Sequence, residues 1–86
     1  MSADEKIEDL LQKHSNNKSL YRDMLDVMRA LIDRVVNKSA SFTELKANLK
    51  GKYQNQPEVL ADFTALCRAT VESIESYLRE QIKAAQ

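Results

Sequence analysis

The sequence has very little glycine, proline or cysteine. Its 86 residues include one of each, whereas average usage would give roughly ten glycines and prolines together. All-β sandwiches and barrels need turn residues about every 8–12 positions, so this scarcity excludes them. A single cysteine excludes an internal disulfide and a cysteine-based zinc site. A single glycine excludes a glycine-rich phosphate loop.

Net charge and long apolar runs are absent as well. The 13 basic residues balance the 13 acidic ones, which removes the overall positive field that draws a domain to nucleic acid or to an anionic membrane. No apolar run approaches the roughly 18–20 residues of a membrane span, and the acidic N-terminus is unlike a signal peptide. We therefore expect an intracellular protein of a reducing compartment, cytoplasmic or nuclear. Its partner is then neither a membrane nor a nucleic acid.

The residues that are present predict helices. Ser2 with Glu5 and Ser41 with Glu44 form two capping boxes, in which side chains satisfy the free amides of a first helical turn. Apolar residues then recur at helical spacing. Together these patterns predict helices at residues 3–14, 18–36, 42–53 and 56–84. We expect one all-α domain over residues 1–86, a small and mostly antiparallel four-helix bundle with a long C-terminal helix.

No group of side chains predicts catalysis. Cys67 falls on the apolar stripe of the fourth helix, where a thiol is expected to act as a small buried hydrophobic group. His14 is the only histidine and has no clustered partners with which to hold a metal. Carboxylate pairs such as Asp4 and Glu8 lie on polar faces, where nothing removes them from water, whereas an acid–base pair needs burial or forced proximity. We predict a protein that is not an enzyme, with no catalytic residues, no metal and no cofactor.

The second helix carries the residues of a family resemblance. In Leu20–Met28, Tyr21 is followed by the apolar pairs Met24–Leu25 and Val27–Met28. This order resembles the first motif of paired amphipathic helix domains. The segments Phe42–Leu45 and Pro57–Phe63 resemble that family's third and fourth helices, and harmonin-homology domains share the compact plan. The sequence departs from the family where Met24 replaces the usual aromatic residue.

The resemblance implies a non-catalytic protein-interaction domain. Such domains hold an amphipathic helix of a partner in an apolar groove between their first two helices, by apolar anchors at i, i+3/i+4 and i+7. Methionines suit an adaptable groove because they repack easily. The alternative, that the two methionines belong to the bundle core, stays open at this point. The expected groove residues are Leu10, Leu11, Leu20, Met24, Val27, Met28 and Leu31.

Two further functions remain open from the sequence. Lys46, Lys50 and Lys52 make the third helix locally basic, which favours contact with an acidic segment of another protein. A small bacterial or phage-type immunity or inhibitor protein binds in this way, through a charged face. The long fourth helix instead favours a structural protein that forms a homodimer through its C-terminal helix.

Overall fold

The computed structural model describes residues 2–85, which form four helices. These are α1 (Ala3–Lys13), α2 (Lys18–Asn37), α3 (Ser41–Lys52) and α4 (Pro57–Ala85). Every helix end lies within one residue of its predicted position, and the all-α prediction is confirmed. The predicted domain also includes Met1 and Gln86, which lie outside the described residues.

Two of the helix starts follow from local side-chain chemistry. The Ser2 hydroxyl accepts a hydrogen bond of 3.2 Å from the Glu5 amide at the start of α1. The Asn17 side chain accepts one of 3.2 Å from the Leu20 amide at the start of α2. Each bond satisfies one of the free amides that a helix N-terminus leaves, a contribution of about 1 kcal/mol.

The start of α3 differs from the predicted capping box. Ser41 lies inside the helix, and Ala40, which precedes it, supplies no side-chain cap. Lys38 takes a left-handed conformation with φ of 57° and ends α2. The chain therefore turns sharply, and the Ser39 hydroxyl accepts the Ser41 amide at 3.3 Å. The prediction that Ser41 caps α3 is wrong, because the tight turn places Ser39 in that role.

Helices α2 and α4 form the centre of the bundle. Helix α4 packs against α1 and α2, and α2 also packs against α3. Helices α3 and α4 make few contacts with each other. Helix α1 runs antiparallel to α4, because Asp4 bonds Ser73 near one end and His14 bonds Asp62 near the other. The arrangement is flat, with extents of 48 × 29 × 18 Å.

The core lies between α2 and α4 and draws on all four helices. Met24 and Leu66 are fully buried, and the aromatic rings of Tyr53 and Phe63 pack with centroids 5.5 Å apart. The only buried polar side chain in the described residues is Thr70, whose hydroxyl donates to the Leu66 carbonyl at 2.7 Å. The remaining buried core residues are Ile7, Leu20, Val27, Ala30, Leu31, Phe42, Leu49, Val59 and Ala69.

Two carboxylates, those of Asp23 and Asp62, form hydrogen bonds and ion pairs between helices. Asp23 on α2 accepts the Tyr53 hydroxyl at 2.5 Å and the Lys52 ammonium at 2.7 Å. Burial and the bond to Asp23 raise the pKa of Tyr53, and the bond to Asp23 raises that of Lys52. These contacts fix the C-terminal end of α3 against α2.

Asp62 on α4 forms the corresponding contacts with the end of α1. It accepts hydrogen bonds from His14 at 2.7 Å and from Lys13 at 2.9 Å. Burial acts to raise the pKa of Asp62, but the bonds from His14 and Lys13 together outweigh burial and lower that pKa. The C-terminal end of α1 is thereby held on α4.

The C-terminal part of α4 extends past the other helices. Residues 75–85 are all exposed, and they include Tyr77, Leu78 and Ile82 at 63%, 40% and 59% exposure. None of the described helices combines the length and the apolarity needed to cross a membrane.

Candidate functional site: a groove between α3 and α4

A groove of about 670 Å³ separates α3 from α4, with α2 beneath it. We call it the α3/α4 groove. Its floor residues from α2 are largely covered, and more of its accessible apolar surface comes from the partly buried side chains of α4, Leu60, Cys67 and Val71. The apolar lining consists of Val27, Leu31, Phe42, Leu49, Leu60, Phe63, Cys67 and Val71.

Helix α3 packs on α2 and also has a specific contact at each of its ends. At the N-terminal end, the Arg34 guanidinium lies 5.5 Å from the centroid of the Phe42 ring. At the C-terminal end, Tyr53 bonds Asp23 and packs on Phe63. Arg34 and Asp23 therefore hold the two ends of α3 on α2, while Lys46 and Lys50 lie on the side of α3 toward α4.

The rim of the α3/α4 groove is strongly basic. It carries Arg34 from α2, Lys46 and Lys50 from α3, and Arg68 from α4, with Glu72 as the single acid. The ion pairs of residues 2–85 are formed by other side chains, so these four cations have no carboxylate in contact. Closing the groove would desolvate like charges and bring them together, which is unfavourable. The charges of the rim therefore oppose closure of the groove.

Cys67 lies in the wall of this groove. The sequence predicts it as a buried hydrophobic group, and the thiol does pack against the core, although it remains only partly buried. Burial raises the pKa of the Cys67 thiol, while the positive charge of Lys46 acts in the opposite direction. The thiol is therefore neutral near pH 7 and belongs to the apolar part of the groove.

The seven residues predicted to line a groove between α1 and α2 fall into two sets. Four of them, Leu20, Met24, Val27 and Leu31, are buried in the core. For Met24 this matches the alternative that the sequence left open. The other three are partly buried and pack against the core from the surface that we call the α1/α2 face; they are Leu10, Leu11 and Met28.

The three predicted lysines also separate. Lys46 and Lys50 lie together on the rim of the α3/α4 groove, whereas the Lys52 ammonium bonds Asp23 and Ser19 on α2. The other two rim cations, Arg34 and Arg68, were not predicted, because they lie on α2 and α4 and join the rim only through helix packing. Lys46 and Lys50 could be grouped from the sequence, because they are four residues apart and share one face of a helix.

The described residues include no group of three histidine, cysteine, aspartate or glutamate side chains that could hold a metal ion. Comparison of the chain with protein-family models, with curated proteins and with solved structures finds no match. The class that the fold defines is therefore a small all-α four-helix protein. Its candidate site is an apolar groove with a basic rim.

Proposed function

We propose that this chain is a non-catalytic protein-interaction domain, and that it binds an amphipathic helix of another protein in the α3/α4 groove. One observation carries the proposal, namely that an accessible apolar strip lies beneath four cations and a single acid. A helix with an apolar stripe flanked by glutamates or aspartates complements both features. The family resemblance also implies that a partner helix binds in a groove, but it places that groove between α1 and α2. We place it between α3 and α4.

The dimensions of the groove fit a short helix. Helix α3 has 12 residues, so at 1.5 Å per residue its wall is about 18 Å long, or roughly three turns. Apolar anchors at i, i+3/i+4 and i+7 span that length. Leu60, Cys67 and Val71 of α4 present the apolar surface against which such anchors would pack.

Affinity in this arrangement comes mainly from apolar burial. Each exposed ion pair on the rim contributes about 0.2–1 kcal/mol and weakens as salt rises. The cations therefore select acidic partners and speed association more than they add affinity. A short helix with a few anchors is expected to bind with a Kd on the order of micromolar.

The test uses a synthetic probe helix and reverses the rim charge. The probe is a fluorescein-labelled amphipathic peptide of about 14 residues, roughly four turns, with leucine anchors and glutamate flanks. Its anisotropy should rise when the protein is added. In the double variant Lys46→Glu/Lys50→Glu, Kd should increase about tenfold or more, because two attractive contacts become repulsive.

Controls on the protein and on the probe identify the surface involved. The double variant Lys6→Glu/Lys18→Glu makes the same change of charge on exposed side chains outside the groove, and it should bind almost as the parent does. A probe with lysine flanks in place of glutamate should bind at least tenfold more weakly. Equal weakening by both double variants would contradict the proposal. Loss of binding in Met28→Asp alone would place the partner on the α1/α2 face instead.

A further inference from the structure

We infer that the C-terminal part of α4 binds its counterpart in a second copy of this chain, with the two helices antiparallel. This inference goes beyond the proposed function because it uses a different surface. That surface is the apolar stripe formed by Val71, Ile74, Leu78 and Ile82, which we call the α4 stripe. Only Val71 also lines the α3/α4 groove.

The α4 stripe runs beyond the part of the bundle that covers α4. Its residues are separated by three or four positions, so they fall on one face of the helix. Asp4 of α1 bonds Ser73, and the start of α1 also lies beside Tyr77 and Glu80, on the side of α4 away from the stripe. Near the end of α2, Arg34 lines the groove together with Glu72. Leu78 and Ile82 lie outside these contacts and remain 40% and 59% exposed.

An antiparallel pairing places the stripe against itself in register. With Leu78 opposite Ile74 of the second copy, Ile82 lies opposite Val71 of the second copy. A two-fold axis then crosses α4 near Ser76. Every contact occurs twice, as a closed two-fold interface requires. The pairing removes four exposed large apolar side chains from water, Leu78 and Ile82 of each copy.

The order of charges along α4 selects this orientation. Glu72, Glu75, Arg79 and Lys83 share one flank of the stripe, and none of them takes part in the ion pairs of residues 2–85. Antiparallel pairing about this axis sets Glu75 two residues, and Glu72 three residues, from exact alignment with Arg79 and Lys83 of the second copy, which is within reach of these long side chains. Parallel pairing in register would turn this flank toward the other flank of the second copy, which carries the uncharged Thr70, Tyr77 and Gln81, so these charge pairs would not form. Charge complementarity therefore favours an antiparallel second copy as the occupant.

The experiment measures solution mass and exchanges the paired charges. Light scattering after size exclusion, from about 10 to 500 µM, should show the mass rising toward twice 9.8 kDa. Glu75→Arg and Arg79→Glu should each weaken dimerisation about tenfold or more, because each sets like charges opposite one another. The double variant Glu75→Arg/Arg79→Glu should restore the dimer. An equimolar mixture of the two single variants should form a heterodimer.

Two more variants separate the interface from effects on folding. Glu80→Arg makes the same charge change on the opposite side of α4 and should leave the mass unchanged. Leu78→Asp should give a monomer of unchanged helicity, since Leu78 lies outside the core. A parent chain that stays monomeric throughout, or a dimer that survives Leu78→Asp, would overturn the inference. Failure of the double variant to restore the dimer would overturn it too.

The two proposals fail separately. A monomeric parent that still binds the acidic probe would remove the α4 dimer and leave the α3/α4 groove in place. A dimer whose mass is unchanged by Lys46→Glu/Lys50→Glu, in a chain that does not bind the probe, would remove the groove function and retain the α4 interface.

Discussion

Replacing Met24 by alanine should destabilise the bundle strongly. The Met24 side chain is 0% exposed and lies in the core between α2 and α4. Its truncation removes about 1.5–3 kcal/mol of transfer free energy and leaves a cavity, for a total of about 2–5 kcal/mol. A small domain has on the order of 5–10 kcal/mol in all. Met24→Ala should therefore unfold at a much lower urea concentration, and Met24→Asp should not fold, because it buries an unpaired charge.

Urea titration followed by circular dichroism at the helical band measures this difference. Met28→Ala is the matched control, since Met28 is the same residue type one turn further along α2 but only partly buried. Its loss should be about 1 kcal/mol, set by its smaller buried area. A folded Met24→Asp protein with the parent's midpoint would refute the reasoning. It would also return Met24 to the exposed groove that the family resemblance implies.

Two further changes test the polar contacts between helices. Tyr53→Phe removes the hydrogen bond to Asp23 and should cost about 1–2 kcal/mol in urea unfolding; an unchanged midpoint would show that the bond contributes nothing. The pKa of Asp62 is lowered in the folded state, so its contribution to stability is present above the ordinary carboxyl pKa of 3.8 and is lost as the pH falls through the lowered value. Asp62→Asn should accordingly cost about 1 kcal/mol near pH 6, and this cost should shrink as the pH falls below 3.8. A penalty that does not vary with pH would contradict this account.

The helix boundaries could be predicted because they depend on neighbouring residues. Asn17 caps α2 from the position directly before it, and Pro57 begins α4, where its missing amide costs nothing. The Ser41 cap was predicted wrongly for the same local reason, since Ser39 and Ser41 are both suitable caps. The backbone turn at Lys38 decides between them, and the sequence gives no signal of that turn.

The site itself was less predictable because it depends on which helices pack together. On α4, Leu60, Cys67 and Val71 follow the same helical spacing as the buried residues Phe63 and Leu66. Spacing alone cannot tell a groove wall from a core face, since both are apolar stripes. The difference comes from α3, which packs on α2 and, apart from the Tyr53–Phe63 contact at its end, is separated from α4 by the groove. The interpretation of the two methionines was left open for the same reason.

Protection of Cys67 from alkylation shows whether a partner helix occupies the α3/α4 groove. Cys67 is the only cysteine in the chain and lies in the wall of the α3/α4 groove. Its alkylation rate therefore reports whether the groove is occupied, and no cysteine has to be introduced. The rate should rise with pH, because the thiolate reacts and burial raises the pKa of this thiol. We predict that a saturating acidic amphipathic peptide slows alkylation of Cys67 about tenfold or more, in proportion to the bound fraction. An alkylation rate that is unchanged while the peptide is bound would show that the partner occupies another surface, and it would contradict the account.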